Sequence, residues 1–262
     1  MPDSAPNAIR LEDYRVPDFL IDGVDLTFDL GEEGTTVTSR LAIRRNPAAG
    51  RPGAPLVLDG QELELVSVAV DGEAWGANRY RVDDESLTLP DMPDAFTLDV
   101  ETRIEPRKNT ALEGLYTSGG NYCTQCEAEG FRRITYMLDR PDVMARYTTT
   151  IVADRARYPV LLSNGNLVAE GDAGGGRHWA KWEDPFPKPS YLFALVAGDL
   201  AAHRDSFTTR SGRKIPLEIY VRPGDLDKCG HAMRSLQKSM AWDEEVYGLE
   251  YDLDRFMIVA VS

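Results

Sequence analysis

Histidine and cysteine are both scarce in this sequence, which has three of each among its 262 residues. No His-Glu-x-x-His occurs, so the common pair of zinc-binding histidines on one helix turn is missing from it. Three cysteines are too few, and odd in number, for the disulfide framework of a secreted domain. We therefore expect a reducing compartment.

Long apolar runs are absent too. No stretch approaches the roughly 18 apolar residues that suggest a membrane span. The first residues, MPDSAPNAIRLEDYRVPDF, show neither the basic start nor the apolar segment of a signal peptide. These features predict a cytoplasmic protein with no membrane partner.

Basic residues are in the minority, because 43 Asp and Glu stand against 29 Lys and Arg, a net charge of −14. Such a chain repels nucleic acid and anionic membrane surfaces, and we expect neither as a partner. It would attract cationic ligands, although solubility is the plainer explanation of the charge.

The first half of the chain alternates apolar and polar residues with period two, the pattern of half-buried strands. The length suits one large domain or two small ones. Turn-forming residues separate the strands, as in a sandwich or a set of curled sheets. The alternating segments are 24–30, 63–65, 66–70, 87–89 and 96–100.

Further strands are predicted between residues 147 and 199. Asn164-Gly165 favours a tight hairpin that joins residues 159–163 to residues 166–170. The prolines of residues 184–189 predict a rigid connector, because proline cannot donate to a central strand. Residues 191–197 are apolar throughout and predict a buried strand.

The pattern changes near residue 200. We predict a hairpin of residues 207–210 with 215–221, and then one helix with apolar residues three and four apart. Asp225 would cap the start of this helix, and Gly248 would end it. Residues 256–261 predict a buried strand at which the sequence stops, so we expect a truncated piece of a longer protein.

Cys123 and Cys126 form a C-x-x-C motif that could serve a zinc site or a redox pair. Zinc would need two more ligands, and the available pair, Cys229 and His231, has unsuitable spacing. For a redox pair, the acidic residues that follow would raise the pKa of a thiol. Two reduced thiols that pack or line a pocket are therefore favoured, and the redox reading stays open to thiol titration.

The residues between and after the two cysteines offer a different chemistry. If residues 123–129 run extended, Gln125 and Glu127 lie on one face and Cys126 on the other. A carboxylate beside an amide suits an ammonium group next to a carbonyl. From the spacing alone, a solvated surface strand explains these residues as well.

Several longer motifs resemble the bacterial aminopeptidase N family of zinc metallopeptidases (gluzincins), specifically its N-terminal portion. The resemblance runs in order from about residue 15 to the end. Its main motifs are CTQCEAEGFRRITYMLDRPD at 123–142, LSNGN at 162–166, WEDPFPKP at 182–189, YLFALVAGD at 191–199, GLEYD at 248–252 and MIVAV at 257–261.

The resemblance implies a mainly β fold in two parts. Residues 1–199 would form a saddle-like N-terminal domain of curved antiparallel sheets. Residues 200–262 would begin a thermolysin-like α/β catalytic domain with strands and a helix. The chain would stop before the family's zinc motif, so we expect no metal ligand and no catalytic residue within it.

The resemblance also implies roles for individual residues. Glu127 matches the carboxylate that binds the α-amino group of the substrate, and Gln125 matches the residue that lines the pocket for the first side chain. Glu129 is expected to be structural. Arg132, Arg133, Asp139 and Pro141 are expected to fix the loop by ion pairing and a rigid turn.

The function implied is removal of N-terminal amino acids from peptides by the full-length, zinc-dependent enzyme. Its partners would be peptides with a free N-terminus and the rest of its own catalytic domain. The 262 residues alone would be inactive. The alternative is a related β scaffold without catalysis, and an intact or degraded His-Glu-x-x-His in the rest of the protein would separate the two.

Overall fold

The computed structural model describes residues 10–261. Residues 1–9, on which the prediction of no signal peptide partly rests, and Ser262 lie outside the described residues. The strands of this range, in chain order, are β1 Phe19–Leu30, β2 Thr35–Arg45, β3 Leu56–Asp59, β4 Glu64–Val70, β5 Glu73–Ala74, β6 Arg81–Val82, β7 Ser86–Leu89, β8 Ala95–Ile104, β9 Gly114–Ser118, β10 Asn121–Gln125, β11 Ala145–Asp154, β12 Val160–Ser163, β13 Asn166–Gly174, β14 Arg177–Lys188, β15 Leu195–Gly198, β16 Ala201–Thr208, β17 Lys214–Val221 and β18 Phe256–Val259.

The helices of the same range are few and mostly short. One α-helix, α1, spans Gly230–Val246. The short 3-10 helices are η1 Leu11–Asp13, η2 Pro47–Ala49, η3 Phe131–Arg133, η4 Ser190–Leu192 and η5 Leu226–Lys228. The prediction of a mainly β fold is confirmed.

The strands form four sheets. The largest has eight strands in the order β13-β14-β11-β1-β2-β8-β4-β5. A four-stranded sheet has the order β12-β15-β10-β9, and two three-stranded sheets have the orders β3-β7-β6 and β16-β17-β18. Alternate residues of β1, such as Leu26 and Phe28, are fully buried, because one face of the strand covers the core.

One pair in the largest sheet departs from the predicted antiparallel arrangement. β1 and β11 run parallel, with Gly23 opposite Arg146 and Asp29 opposite Val152. The chain between them builds other strands before it returns, as a parallel pair requires.

The predicted hairpin at Asn164-Gly165 is wrong. β12 pairs with β15, whereas β13 pairs with β14 in the largest sheet, so the turn carries the chain from one sheet to another. Asn164 also holds the chain directly before β15, because its side chain accepts from the Ala194 amide at 2.7 Å. Gly165 has φ +85, a backbone conformation that favours glycine.

The prediction of a connector over residues 184–189 is also wrong, because β14 continues to Lys188. Beyond Glu183, β14 pairs only with β11, because its other neighbour, β13, begins at Asn166 opposite Glu183. A register shift between Ala145 and Tyr147 accommodates the prolines at this one-sided edge. Residues 191–197 are likewise not one strand, since η4 ends at Leu192 and β15 begins at Leu195.

The hairpin predicted beyond residue 200 is confirmed as β16 and β17, and β18 pairs with β17 in parallel. Met233 and Met240 of α1 are buried against this sheet. Asp225 does not cap α1, which begins at Gly230. Its carboxylate instead binds Lys228 and Arg222. In the described part of the chain, we find no helix whose length and apolar character would suit a membrane crossing.

Candidate functional site

β10 brings Gln125 to the rim of the four-stranded sheet. The strand pairs with β9 on one side, where Gln125 lies opposite Gly114, and with β15 on the other, where Cys123 lies opposite Val196. Gln125 is the last residue of the strand and is exposed, whereas Tyr122 and Cys123 are buried. The sheet thus provides a fixed base for the residues that follow.

Residues 125–130, here called the arm, turn sharply after β10. The predicted extended conformation of residues 123–129 is wrong beyond Gln125. The Gly130 amide donates to the Cys126 carbonyl at 2.8 Å and closes the turn, and the Glu127–Ala128 peptide is cis. A Cβ on Gly130 would lie 2.4 Å from the Gln125 carbonyl oxygen, so only glycine fits there.

Gln125 and Glu127 are both exposed on the arm. The side-chain amide of Gln125 donates to the backbone carbonyl of Glu127 at 3.1 Å. Among the residues that the structure describes, no hydrogen-bond or ion-pair partner faces the carboxylate of Glu127. The arm therefore presents the solvated carboxylate of Glu127, and the side-chain amide of Gln125 holds the Glu127 backbone.

Behind the arm, Arg132 and Asp139 form a buried ion pair. Arg132 Nε lies 3.0 Å from Asp139 Oδ2, and the Arg132 backbone amide donates to the same oxygen at 3.1 Å. The Asp139 side chain is completely buried. Arg132 Nη1 also reaches Glu129 Oε2 at 3.5 Å, so this pair connects directly to the arm.

Two further residues complete this anchor, and neither is predicted from the sequence. The Ser190 hydroxyl donates to Asp139 Oδ1 at 2.5 Å, and Asp59 Oδ2 accepts from the Asp139 amide at 3.1 Å. Burial raises the pKa of Asp59, and the Arg132 guanidinium opposes this rise. Ser190 and Asp59 lie far from the arm in sequence, so no local pattern marks them.

Arg133 and Pro141 lie in different surroundings from this anchor. Arg133 forms ion pairs with Glu62 at 2.8 Å and Glu113 at 3.2 Å. Pro141 is exposed in a turn that the Val143 amide closes on the Arg140 carbonyl at 3.3 Å. The structure thus groups Glu129, Arg132 and Asp139 and leaves the other two outside that group.

The thiols of the C-x-x-C are buried, free and surrounded by different residues. Burial raises the pKa of both thiols. The hydrogen bond with Tyr116 opposes the rise at Cys123, whereas the Asp139 carboxylate adds to the rise at Cys126. Such thiols are poor nucleophiles and poor metal ligands. Within residues 10–261, no group of three or more His, Cys, Asp or Glu is arranged to hold a metal ion.

The chain matches a known class of protein. Residues 22–192 match the peptidase M1 N-terminal domain. The match covers more than half of the chain, and the chain belongs to the peptidase M1 family. The resemblance on which the sequence analysis relied is thereby confirmed.

Individual relatives extend the match to nearly the whole chain. Aminopeptidase N of Escherichia coli is 56% identical over 257 residues, and that of Caulobacter vibrioides is 55% identical over 256 residues. Each alignment covers 98% of this chain and 29% of the relative. The crystal structure of Legionella pneumophila aminopeptidase A in complex with aspartic acid matches with a TM-score of 0.91 at 39% identity, over 96% of this chain and 30% of that one. The chain thus spans about three tenths of the length of these proteins.

Proposed function

We propose that this chain is the peptide-anchoring, N-terminal part of a zinc-dependent aminopeptidase that acts in the cytoplasm. The observation that carries the proposal is the carboxylate of Glu127, which is exposed and without a partner in the described residues of a peptidase M1 chain. In this proposal, residues 1–199 form the anchoring domain and residues 200–262 begin the catalytic domain. Its partners are peptides with a free N-terminus and the rest of the catalytic domain.

The chemistry of the arm suits a peptide amino terminus. An α-ammonium group donates charge-assisted hydrogen bonds, which a carboxylate accepts better than any neutral group. Gln125 uses its amide nitrogen on the Glu127 carbonyl, so its oxygen is left for the first residue of the peptide. Arg132 and Asp139 hold the arm from behind, which limits the freedom that binding must remove.

The described residues do not themselves offer a site that fits zinc. In the proposal, the ligands belong to the rest of the protein, where zinc would polarise the scissile carbonyl and activate a water. The contribution of this chain is to position the amino terminus of the peptide. A fixed ammonium site determines which peptide bond can react, so cleavage occurs one residue from the N-terminus.

The proposal is tested by Glu127→Ala in the whole protein that carries this chain. We expect kcat/KM for an aminoacyl substrate to fall at least ~100-fold, since losing a charge pair of this kind costs roughly 3 kcal/mol. Glu170→Ala, which removes an exposed carboxylate from β13, is the matched control. A loss below about threefold would contradict the role of Glu127.

A second measurement tests whether this chain alone can catalyse cleavage. We expect the 262 residues alone to hydrolyse no chromogenic aminoacyl substrate, because this chain would supply only the anchor. Turnover by the purified chain would contradict this. Inactivity of the whole protein, with a degraded His-Glu-x-x-His, would instead favour a non-catalytic β scaffold.

A further inference from the structure

A second buried charge cluster lies at the end of β14, near the anchor of the arm. The Lys188 ammonium lies 3.1 Å from Asp184 Oδ2 and 3.8 Å from the centre of the Tyr147 ring. Lys188 and Asp184 are only 7% and 8% exposed. Lys188 takes no part in the contacts described above for the arm and its anchor.

The cluster is incompletely satisfied. The ion pair lacks hydrogen-bond geometry at Lys188 Nζ, and the hydroxyl of Tyr147 has no hydrogen-bond partner among residues 10–261. Burial lowers the pKa of Lys188 to about 8, although Asp184 opposes the change. A buried ammonium with one acidic neighbour is costly, and an apolar side chain of similar size would serve the fold better. A role beyond packing would explain why a lysine stands here.

The ring of Tyr147 connects the ammonium to the arm through aromatic contacts. Tyr147 contacts Phe131 at 6.2 Å and Phe193 at 6.1 Å between ring centres. Phe131 and Phe193 also meet edge to face at 5.3 Å. Phe131 is fully buried and follows Gly130 directly, so the arm ends on this stack of rings.

A second connection runs along the chain. Lys188 ends β14, and Ser190 begins η4 two residues later. The hydroxyl of Ser190 donates to Asp139, which holds Arg132 and through it Glu129. A movement of the chain at Lys188 would therefore be transmitted to the arm by two routes. One is the stack of aromatic rings, and the other is the chain of polar contacts from Ser190 to Glu129.

We propose that Lys188 is a positioning residue for the arm: its ammonium, held between Asp184 and the ring of Tyr147, fixes the aromatic stack and the Ser190 contact on which the arm rests. The inference that this also affects peptide binding rests on the proposed function. When Lys188 loses its proton but stays buried, its attraction to both neighbours disappears and the arm becomes more mobile. Global unfolding differs, because it exposes Lys188 to water, so the free energy of unfolding rises with pH even as the arm loosens.

Other titratable groups face the cluster and must be considered in any pH experiment. Asp139 and Cys126 face Tyr147 from the arm and its anchor, and burial raises the pKa of Tyr147 far above its ordinary value. Tyr251 faces Asp184, and burial raises its pKa to about 12. These groups are present in every variant below, so a comparison between variants isolates Lys188.

Hydrogen exchange of the whole protein tests the proposal without reference to peptide cleavage. The informative amides are those of Gly130 and Arg132, which donate to the Cys126 carbonyl and to Asp139. We expect Lys188→Met to accelerate their exchange at pH 7 at least ~10-fold more than that of amides in β1 and β2. Lys181→Met, on the same strand but partly exposed, should leave the arm unchanged.

The wild-type protein provides a test that needs no destabilising variant. After correction for intrinsic exchange, we expect protection of the arm to fall between pH 7 and pH 9.5, as Lys188 loses its proton. Lys188→Arg, which stays charged, should keep that protection. Equal acceleration in arm and core, or the same pH dependence in Lys188→Arg, would overturn the proposal.

Enzyme kinetics then separate this proposal from the proposed function. In an active whole enzyme, Lys188→Met should raise KM for a peptide several-fold more than it lowers kcat. An exchange effect on the arm without any change in KM would retain Lys188 as a positioning residue and would contradict peptide binding by the arm.

Discussion

Asp139 is a single residue on which much of the candidate site depends. Its buried carboxylate accepts from the Arg132 amide, the Arg132 guanidinium and the Ser190 hydroxyl. Removing one partner of a buried ion pair is far more damaging than never having had the pair, because the remaining charge stays buried.

We expect Asp139→Ala to lower the free energy of unfolding by about 3–5 kcal/mol, because three donors lose their acceptor. Asp139→Asn should cost less, since its oxygen can still accept from Arg132 and Ser190 can accept from its amide. Urea unfolding measures both. Asp22→Ala, which breaks the exposed pair of Asp22 with Arg44, is the control and should cost less than about 1 kcal/mol. Equal effects at both aspartates would show that Asp139 is not an anchor.

The buried thiols allow a second prediction at this scale. Because all three cysteines are buried and burial raises the pKa of Cys123 and Cys126, little thiolate reaches solvent. We expect a thiol reagent at pH 8 to label the native chain on the order of 100-fold more slowly than the unfolded chain. Two rapidly labelled thiols, or a disulfide between Cys123 and Cys126, would revive the redox interpretation.

At the scale of the element, the arm depends on one glycine. Gly130 closes the turn at a point where the backbone at Gln125 and the amide of Gly114 approach too closely for a side chain. The negative φ of Gly130, −81°, would suit any residue, so the requirement comes from contact and not from backbone conformation.

We expect Gly130→Ala to displace the arm and to cost about 1–3 kcal/mol of stability through overpacking. Gly53→Ala is a matched control, because a Cβ at Gly53 would meet nothing within 4 Å. Chemical denaturation and hydrogen exchange of residues 125–133 measure the two effects. Similar behaviour of both variants would contradict the close approach at Gly130.

The sequence predicted some of these elements well and others poorly, for physical reasons. The alternation in β1 and β8 follows from one buried face, so it was readable. Asn164-Gly165 correctly marked a turn, but a turn signal does not say which strands pair. The closed arm depends on the close approach of Gly130 to Gly114. The burial of Lys188 depends on Tyr147, which lies on the neighbouring strand β11 but is distant in sequence. Local sequence cannot contain such information.

At the scale of the whole molecule, the stability of the fold should vary with pH through Lys188. The pKa of Lys188 is about 8 in the folded chain, against an ordinary value of 10.5. Between these values the unfolded chain binds more protons than the folded one, so stability rises with pH in that window. Below pH 8 the charged, buried ammonium reduces stability.

We expect the free energy of unfolding of the wild type, relative to Lys188→Met, to increase by roughly 3 kcal/mol from pH 7.5 to pH 10.5. Other titrating groups cancel in this difference. Urea unfolding of the two proteins at several pH values measures it. A difference that does not change with pH would show that Lys188 has an ordinary pKa.

The parallel pairing of β1 with β11 has a consequence for how the chain folds. β2 follows β1 closely, but β11 begins only at Ala145, more than half-way along the chain. Contacts between residues so distant in sequence form slowly, because the long intervening loop must close first. One edge of β1 therefore stays open during synthesis and early folding. Open edges recruit other strands, so this edge is where premature association between nascent chains would begin.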